Sequence, residues 1–397
     1  MENVSTGLVT GLEEFKALST IWNNLLEQSA DNSSIFLTHE WAWTWWKHFG
    51  AGKKLNILLF NKGQQIVGIM PLIRTEYKLG LVKIQLLETL GVLDCNYVWV
   101  VPTEHREQAM AALEAYLKKE LAADLVAVKL SYVPDDSSFL KLLGGGRSSF
   151  ANSLGVNETV DTLAPYIPLP AKWEDYFDSL SGNRRHMLRR HLRSLEKSHK
   201  VGFEICTAAN SEASLDKFFE LHQKRWDSVN VNGIFSDSRM KAFYVDIANQ
   251  FIKKGWLHFS ILTVDGDIAG AEYGFVYNRK FYGFTTARDP LYHKYGIGHL
   301  QRMFQIKDAI EKGLQEFDCL RGDEPYKYHW TKSARRCTRV VLVKKSRLVE
   351  LRLKFLNTFL RLHELRQFGL REIYPRLLIR VREQRERRRM RINVSKE

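Results

Sequence analysis

Hydrophobic positions recur along this chain in two matching blocks. In Leu55–Ile73 (LNILLFNKGQQIVGIMPLI) and Leu257–Val276 (LHFSILTVDGDIAGAEYGFV) two apolar runs flank a tight turn, Lys62-Gly63-Gln64 in one and Asp265-Gly266-Asp267 in the other. Each block predicts strand, turn, strand. At a constant offset of 202 residues Ile66 matches Ile268 and Gly68 matches Gly270. Each hairpin follows an aromatic-rich helical stretch, HEWAWTWWKHF before the first and FYVDIANQFIKKGW before the second. The pattern predicts a duplicated α/β unit.

The second half has the cleaner order. Strands are predicted at 201–206, 257–264, 268–277, 280–286, 316–320 and 339–344, with helices over 214–227, 237–254 and 298–312. The expected fold class is α/β with α+β character: two tandem mixed-sheet units plus a basic C-terminal helical tail. A Gly/Ser-rich stretch, GGGRSSFANSLG (144–155), parts the halves into units of 1–160 and 161–344. Beyond it, in 345–397, Leu348, Leu351, Phe355, Phe359, Leu362 and Leu365 fall at spacings of three and four, an amphipathic helix. The chain closes on RVREQRERRRMRINVSKE, too charged to pack.

Composition narrows the class. With 397 residues, 45% hydrophobic and 26% charged, the chain can bury two cores. No stretch nears roughly 18 consecutive apolar residues, so no membrane-spanning helix is expected. MENVSTGLVTGLEEF lacks the basic-then-apolar order of a signal peptide, and a cytoplasmic protein is expected. Cys95, Cys206, Cys319 and Cys337 lie far apart without a CxxC pair, which predicts buried thiols and neither a disulfide framework nor a metal site.

The net charge of +14 is concentrated in two places. Residues 344–397 hold 17 Lys and Arg against 6 Asp and Glu, a net of +11, and Ser181–Lys200 holds 7 against 1, a net of +6. The remainder is slightly acidic. Such clustering predicts local contact with something anionic. The tail suits the anionic inner face of a membrane; RNA or a partner helix fits the same charge, although the tail lacks the interleaved aromatics that stack bases.

DPLYHKYGIGHL (Asp289–Leu300) sits between an aromatic strand, KFYGFTTA, and a helix. Gly296-Ile297-Gly298 places two glycines where strand gives way to helix N-terminus, so backbone N–H groups can approach an anion closely. A third glycine and a downstream parallel β-α-β pattern are missing, which excludes a dinucleotide fingerprint; the absence of Gly-Lys-Ser/Thr excludes a P-loop.

HKYGIG resembles the Q/R-x-x-G-x-G/A turn of GNAT acyltransferases, with His293 where Gln or Arg is usual. More narrowly, HQKRW (His222–Trp226), DPLYHKYGIG and FDCLRGDEPYKYHW (Phe317–Trp330) are similar to the GNAT branch of cellulose-biosynthesis CelD-like proteins, related to the Fem-type peptidoglycan aminoacyltransferases with their two tandem GNAT-like units. The resemblance covers 36–344. It implies a C-terminal unit that binds acyl-CoA, acetyl-CoA foremost, and a degenerate N-terminal copy, in agreement with the lack of a G-x-G turn in the first half. It implies direct transfer to an amine or hydroxyl, without metal, on an amino sugar or another cell-surface polysaccharide precursor. Aminoacyl-tRNA in place of CoA, and a catalytically inactive membrane-docked adaptor, are the alternatives.

The same resemblance implies two parallel strands, 280–286 and 316–320, splayed around the thioester arm. The backbone of Phe284, Thr285 and Thr286 would hold the pantetheine and carbonyl. Gly296, Ile297 and Gly298 would hold the diphosphate, with His293 or Lys294 adding charge. At the cleft mouth Asp323 and Glu324 would take a proton from the acceptor or bind a cationic one. Lys327 and Tyr328 would protonate the leaving thiolate or orient the acceptor, beside Arg321. Asp323 and Glu324 equally suit the start of a helix opened by Pro325. Glu272, on a half-buried strand, suits a general base. His222 and Arg225 late on a helix can face the acceptor, with Trp226 beside them; an ordinary ion pair and a core ring are the bland readings. WAWTWW reads as a buried helix face before a sugar platform.

Overall fold

The computed structural model describes residues 3–29, 34–79, 82–94, 97–123, 127–144, 154–227, 233–345, 351, 354–355 and 358–359. The strands are β1 (Val4–Val9), β2 (Lys53–Leu55), β3 (Ile57–Lys62), β4 (Gln65–Met70), β5 (Leu72–Leu79), β6 (Val82–Thr89), β7 (Ala127–Pro134), β8 (Leu154–Pro168), β9 (Val201–Ile205), β10 (Leu257–Val264), β11 (Asp267–Tyr277), β12 (Lys280–Arg288), β13 (Glu316–Asp318) and β14 (Ala334–Lys344). They form a three-stranded sheet, β1-β3-β4, and an eleven-stranded one, β2-β5-β6-β7-β14-β8-β13-β12-β11-β10-β9. The helices are α1 (Leu12–Ala17), α2 (Ser19–Gln28), α3 (His39–Phe49), α4 (Arg106–Ala123), α5 (Ser138–Gly144), α6 (Trp173–Ser179), α7 (Gly182–Glu196), α8 (Ser211–Asp227), α9 (Ser238–Lys253) and α10 (Ile297–Glu311).

The duplication shows in the register. β3 faces β4 with Phe60 opposite Gly68 and Asn61 opposite Ile66. β10 faces β11 with Leu262 opposite Gly270 and Thr263 opposite Ile268. The same bulge, at Val67 and at Ala269, therefore recurs at the offset of 202. Each unit then has a parallel pairing of three residues across a helix, β6 with β7 around α4 and β12 with β13 around α10. A bulge leaves one residue unpaired and increases local twist, so its repetition marks copied architecture.

The halves are not separate bodies. β8 spans the expected boundary at 160, and β14, from the end of the second half, pairs with both β7 and β8. One aromatic core also crosses the seam: Phe36 and Trp41 of the first half pack against Phe275 and Phe284 of the second. Trp41 is fully buried and donates its indole N–H to the Gly91 carbonyl at 2.8 Å, so α3 is a core helix. Lys47 and His48 of α3 meet Asp246 of α9 at 2.7 and 2.8 Å.

Three local expectations are corrected. The strand expected to reach Leu320 ends at Asp318, because Leu320 takes a left-handed backbone, φ +59°. The helix expected after Pro325 is a single 3-10 turn, Lys327–His329. The last strand begins at Ala334 rather than near 339. Cys206, Cys319 and Cys337 are buried free thiols; Cys95 lies outside the described residues. Most of the tail, 345–397, also lies outside them, so its membrane contact has no structural counterpart here. No helix among the described residues is long and apolar enough to cross a membrane.

Candidate functional site

β12 and β13 are bonded at three positions only: Lys280 with Glu316, Phe281 with Phe317, and Tyr282 with Asp318. Past Tyr282, β12 continues to Arg288 bonded to β11 alone. The other chain turns away, the Cys319 amide going to the Pro165 carbonyl (3.0 Å) and the Gly322 amide to Leu163 (2.8 Å). A wedge opens between them. At its edge β12 bulges, with Tyr273 opposite Thr285 and Gly274 opposite Gly283, leaving Phe284 as the extra residue. A bulge re-aims the backbone groups around it, so Gly283–Thr286 presents an irregular polar edge to the gap. The side chains of two of these residues point into protein: Phe284 into the shared aromatic core, and Thr285 to the Tyr244 hydroxyl at 2.6 Å.

The wedge is backed by a buried ion pair. Glu272 on β11 lies 3.4 Å from Arg302 of α10, whose guanidinium covers the Phe317 ring at 4.8 Å. Burial pushes the Glu272 carboxyl up while Arg302 pulls it down. The Gln305 side chain also pulls the Glu272 carboxyl down by hydrogen bonding, and Arg302 Nη1 has no hydrogen-bond partner among the described residues. A Cβ on Gly283 would fall 2.6 Å from Glu272 Oε1 and 2.9 Å from Arg302 Nη1, so any larger residue here displaces the pair where it meets the opening wedge.

Gly296 caps α10 in the left-handed conformation, φ +65°, which explains the first glycine of the turn. Its carbonyl takes the amides of His299 and Leu300, and no side chain caps the helix among the described residues. Two side chains stand against the turn: a Cβ on Gly296 would meet the His191 ring at 2.9 Å, and one on Gly298 would meet Arg288 Nη1 at 2.6 Å. Both are basic groups, able to pair with an anion. Ile297 is buried below them. His293 and Lys294 stand exposed on the preceding turn, Lys294 over the Tyr295 ring at 4.8 Å.

The Arg321–Trp330 string divides by role. Lys327 is buried and donates to the carbonyls of Leu320, Arg321 and Gly322 at 3.0, 2.8 and 3.3 Å, with Glu324 at 3.1 Å. Its ammonium therefore ties the loop together, and the expected roles of Lys327 in orienting an acceptor or protonating a thiolate are replaced by a structural one. Arg321 donates to the Leu93 carbonyl at 2.9 Å and covers the Tyr132 ring, which fastens the loop to the first unit instead of serving an acceptor. Tyr328 donates to Asp323, and desolvation together with that carboxylate pushes its phenol up to about 12. Tyr326 is half exposed on the same loop and interacts electrostatically with Arg225 and Arg302.

His222 sits in an aromatic nest, its ring 4.6 Å from Phe235 and its Nε2 accepting from the Trp226 indole at 3.1 Å. Burial pushes its imidazole down to about 4, so it stays neutral and belongs to the core rather than to an acceptor site. Arg225 is pushed down to about 10 by burial and by the charge of Arg288. The residues missed by sequence are Arg184, His191, Arg288, His299, Arg302 and Tyr326. A basic run was visible at 181–200, but not which of its members turn inward.

Among the described residues no group of three His, Cys, Asp or Glu could hold a metal ion. Residues 182–328 match the family model described as acetyltransferase (GNAT) domain. No curated protein sequence matches the chain. Among solved structures, FemX is similar at 12% identity, covering 85% of this chain and 96% of its own, with a TM-score of 0.59. L-PGS from Bacillus licheniformis is similar at 12% identity over 88% of this chain and 97% of its own, TM-score 0.49. A tandem GNAT protein from the clavulanic acid biosynthesis pathway is similar at 8% identity over 86% and 99%, TM-score 0.46. FemX shares the fold along nearly its whole length. The span 182–328 takes in α7, the wedge, the glycine turn and the loop through Tyr328, and it gives the chain a GNAT-type acyltransferase domain.

Proposed function

We propose that the chain transfers an acyl group from an acyl-CoA, acetyl-CoA foremost, directly to an amine or hydroxyl of a saccharide acceptor in the cytoplasm. The observation that carries the donor reading is the three-residue pairing of β12 with β13, followed by a wedge that leads toward an uncapped glycine turn. A thioester arm is narrow and polar along one edge, which the backbone of Gly283–Thr286 complements. Attack needs a neutral nucleophile, donors where the carbonyl oxygen becomes anionic, and a thiolate that can leave. Backbone N–H groups at the bulge supply the second. Glu272, against the first residue past the divergence, is the candidate base. Tyr326, half exposed on the loop after β13, is the candidate to meet the leaving sulfur or the acceptor.

The saccharide acceptor rests on the resemblance of the RGDEPYK string, and a peripheral membrane setting rests on the charge of the tail. A thiol-release assay with several acyl-CoAs against a panel of amino sugars and sugars tests the reading. Release that depends on one acceptor class supports it. Transfer from aminoacyl-tRNA, with no release from any acyl-CoA, would replace the donor.

A further inference from the structure

Three imidazoles and two guanidiniums converge where α10 begins. Arg184, at the start of α7, is 8% exposed. Its Nη2 donates to His299 Nδ1 at 3.2 Å, its plane covers the Trp330 ring at 4.2 Å, Met187 Sδ lies at 3.8 Å, and its Nε has no partner among the described residues. The His191 and His299 rings are 6.4 Å apart, and those of His299 and His329 are 6.5 Å apart. Arg288 joins them from the end of β12, against Gly298.

The charged groups that act most on His299 are basic: Arg184 and His191 from α7, Arg288 from β12 and His329 from the 3-10 turn. His191 feels Arg190 and Arg184, and His329 feels Arg184. Tyr176 of α6 is the neutral group beside Arg184. The carboxylates of the flanking turns are engaged elsewhere, Asp265 by His199 and Asp289 by Lys224. A buried guanidinium whose contacts are a thioether, an imidazole and a ring is left without charge compensation, which costs free energy unless an anion arrives.

We infer that Arg184, His191 and His299 form a side-chain cage for a phosphoryl group, set beside the uncapped start of α10, and that filling the cage takes up a proton. The inference rests on the donor reading only for the source of the phosphate, the diphosphate of an acyl-CoA; a phosphorylated acceptor would present the same chemistry. His299 accepts at Nδ1 from Arg184, and its imidazole is held down to about 4 by burial and the surrounding basic groups. A phosphate dianion offsets those cations, so an imidazole gains a proton and donates to the phosphate oxygen.

The test is calorimetry of the full chain with CoA, inorganic pyrophosphate and uridine diphosphate at pH 6 and pH 8, using wild type, Arg184→Gln and the double variant His191→Gln, His299→Gln. Comparison with the double variant removes each ligand's own titration. Between pH 8 and pH 6, wild-type affinity is expected to gain about tenfold more than the variant's, from one linked proton. Arg184→Gln is expected to weaken binding about tenfold at both pH values. Equal pH slopes in wild type and double variant, or no loss in a folded Arg184→Gln, overturn the cage. Thiol release in the same variants separates the two readings: pyrophosphate bound with the linked proton but CoA ignored keeps the cage and removes the donor. No binding of any phosphate removes the cage, whatever thiol release shows.

Discussion

Tyr282 and Asp318 form the last parallel pair of β12 and β13. The next residue on one side is Gly283, where a side chain would press on Glu272 and Arg302; the next on the other is Cys319, whose amide has gone over to β8. A single register position thus marks where a paired sheet becomes a binding wedge. Asp318 itself is held by Arg335, 3.7 Å away, and burial pushes its carboxyl up to about 6.

The glycine turn makes a testable distinction between its two glycines. Gly298→Glu places a carboxylate where only the flexible end of Arg288 stands in the way. The variant is expected to fold and to lose CoA binding at least tenfold by calorimetry, from like-charge repulsion at the phosphate site. Gly296→Glu, at φ +65° and against the His191 ring, is expected to lower the melting temperature as well.

Glu272→Gln keeps the shape and removes the charge. Turnover is expected to fall on the order of 10²–10⁴, as for loss of a general base, with the acidic limb of the pH–rate profile lost. Arg302 is then buried without its counter-ion, so a fall in thermal stability is expected too. Unchanged kcat in a folded Glu272→Gln would remove it from the chemistry.

The two tyrosines of the loop are predicted to differ. Tyr328 has its hydroxyl engaged by Asp323, whereas Tyr326 is half exposed and interacts electrostatically with Arg225 and Arg302. Tyr326→Phe is expected to lower kcat about tenfold or more, and Tyr328→Phe to change it less than about threefold. Steady-state kinetics of the two variants decides between them.

Lys327→Met tests the structural reading of the loop. It strips three carbonyls and Glu324 of one buried ammonium. Denaturant unfolding should show a loss of about 3 kcal/mol or more. A near-wild-type stability would return Lys327 to the list of acceptor-facing groups.

Acid stability follows from His222. The unfolded imidazole binds its proton near 6.5 and the folded one only near 4, through burial and the nearby Arg225. Stability is therefore full above pH 6.5 and is lost as pH falls toward 4, by up to about 3 kcal/mol for this group. His222→Phe, which suits the surrounding rings, should flatten that part of the stability–pH curve.

What sequence could show was periodic or conformational. The hairpins, their offset and the glycine turn rest on local patterns, and the structure places all three; even the bulges at Val67 and Ala269 keep the offset. The RGDEP string was legible as unusual but not as a clamp, because the partners of Lys327 and Arg321 are backbone carbonyls, which carry no residue signature. His222 and Arg184 both sit on amphipathic helices near basic neighbours. Only packing shows that the first faces an aromatic nest and the second faces His299. β14 crossing into the first unit's sheet depends on long-range pairing that no local pattern encodes.

Hydrogen exchange with and without an acyl-CoA tests the central claim most directly. Donor in the wedge predicts new protection at Gly283–Thr286 and at Ile297–His299, with the first unit's matching strands unchanged. Saturating acyl-CoA that leaves both segments exchanging as before, or protects only other surfaces, would contradict it.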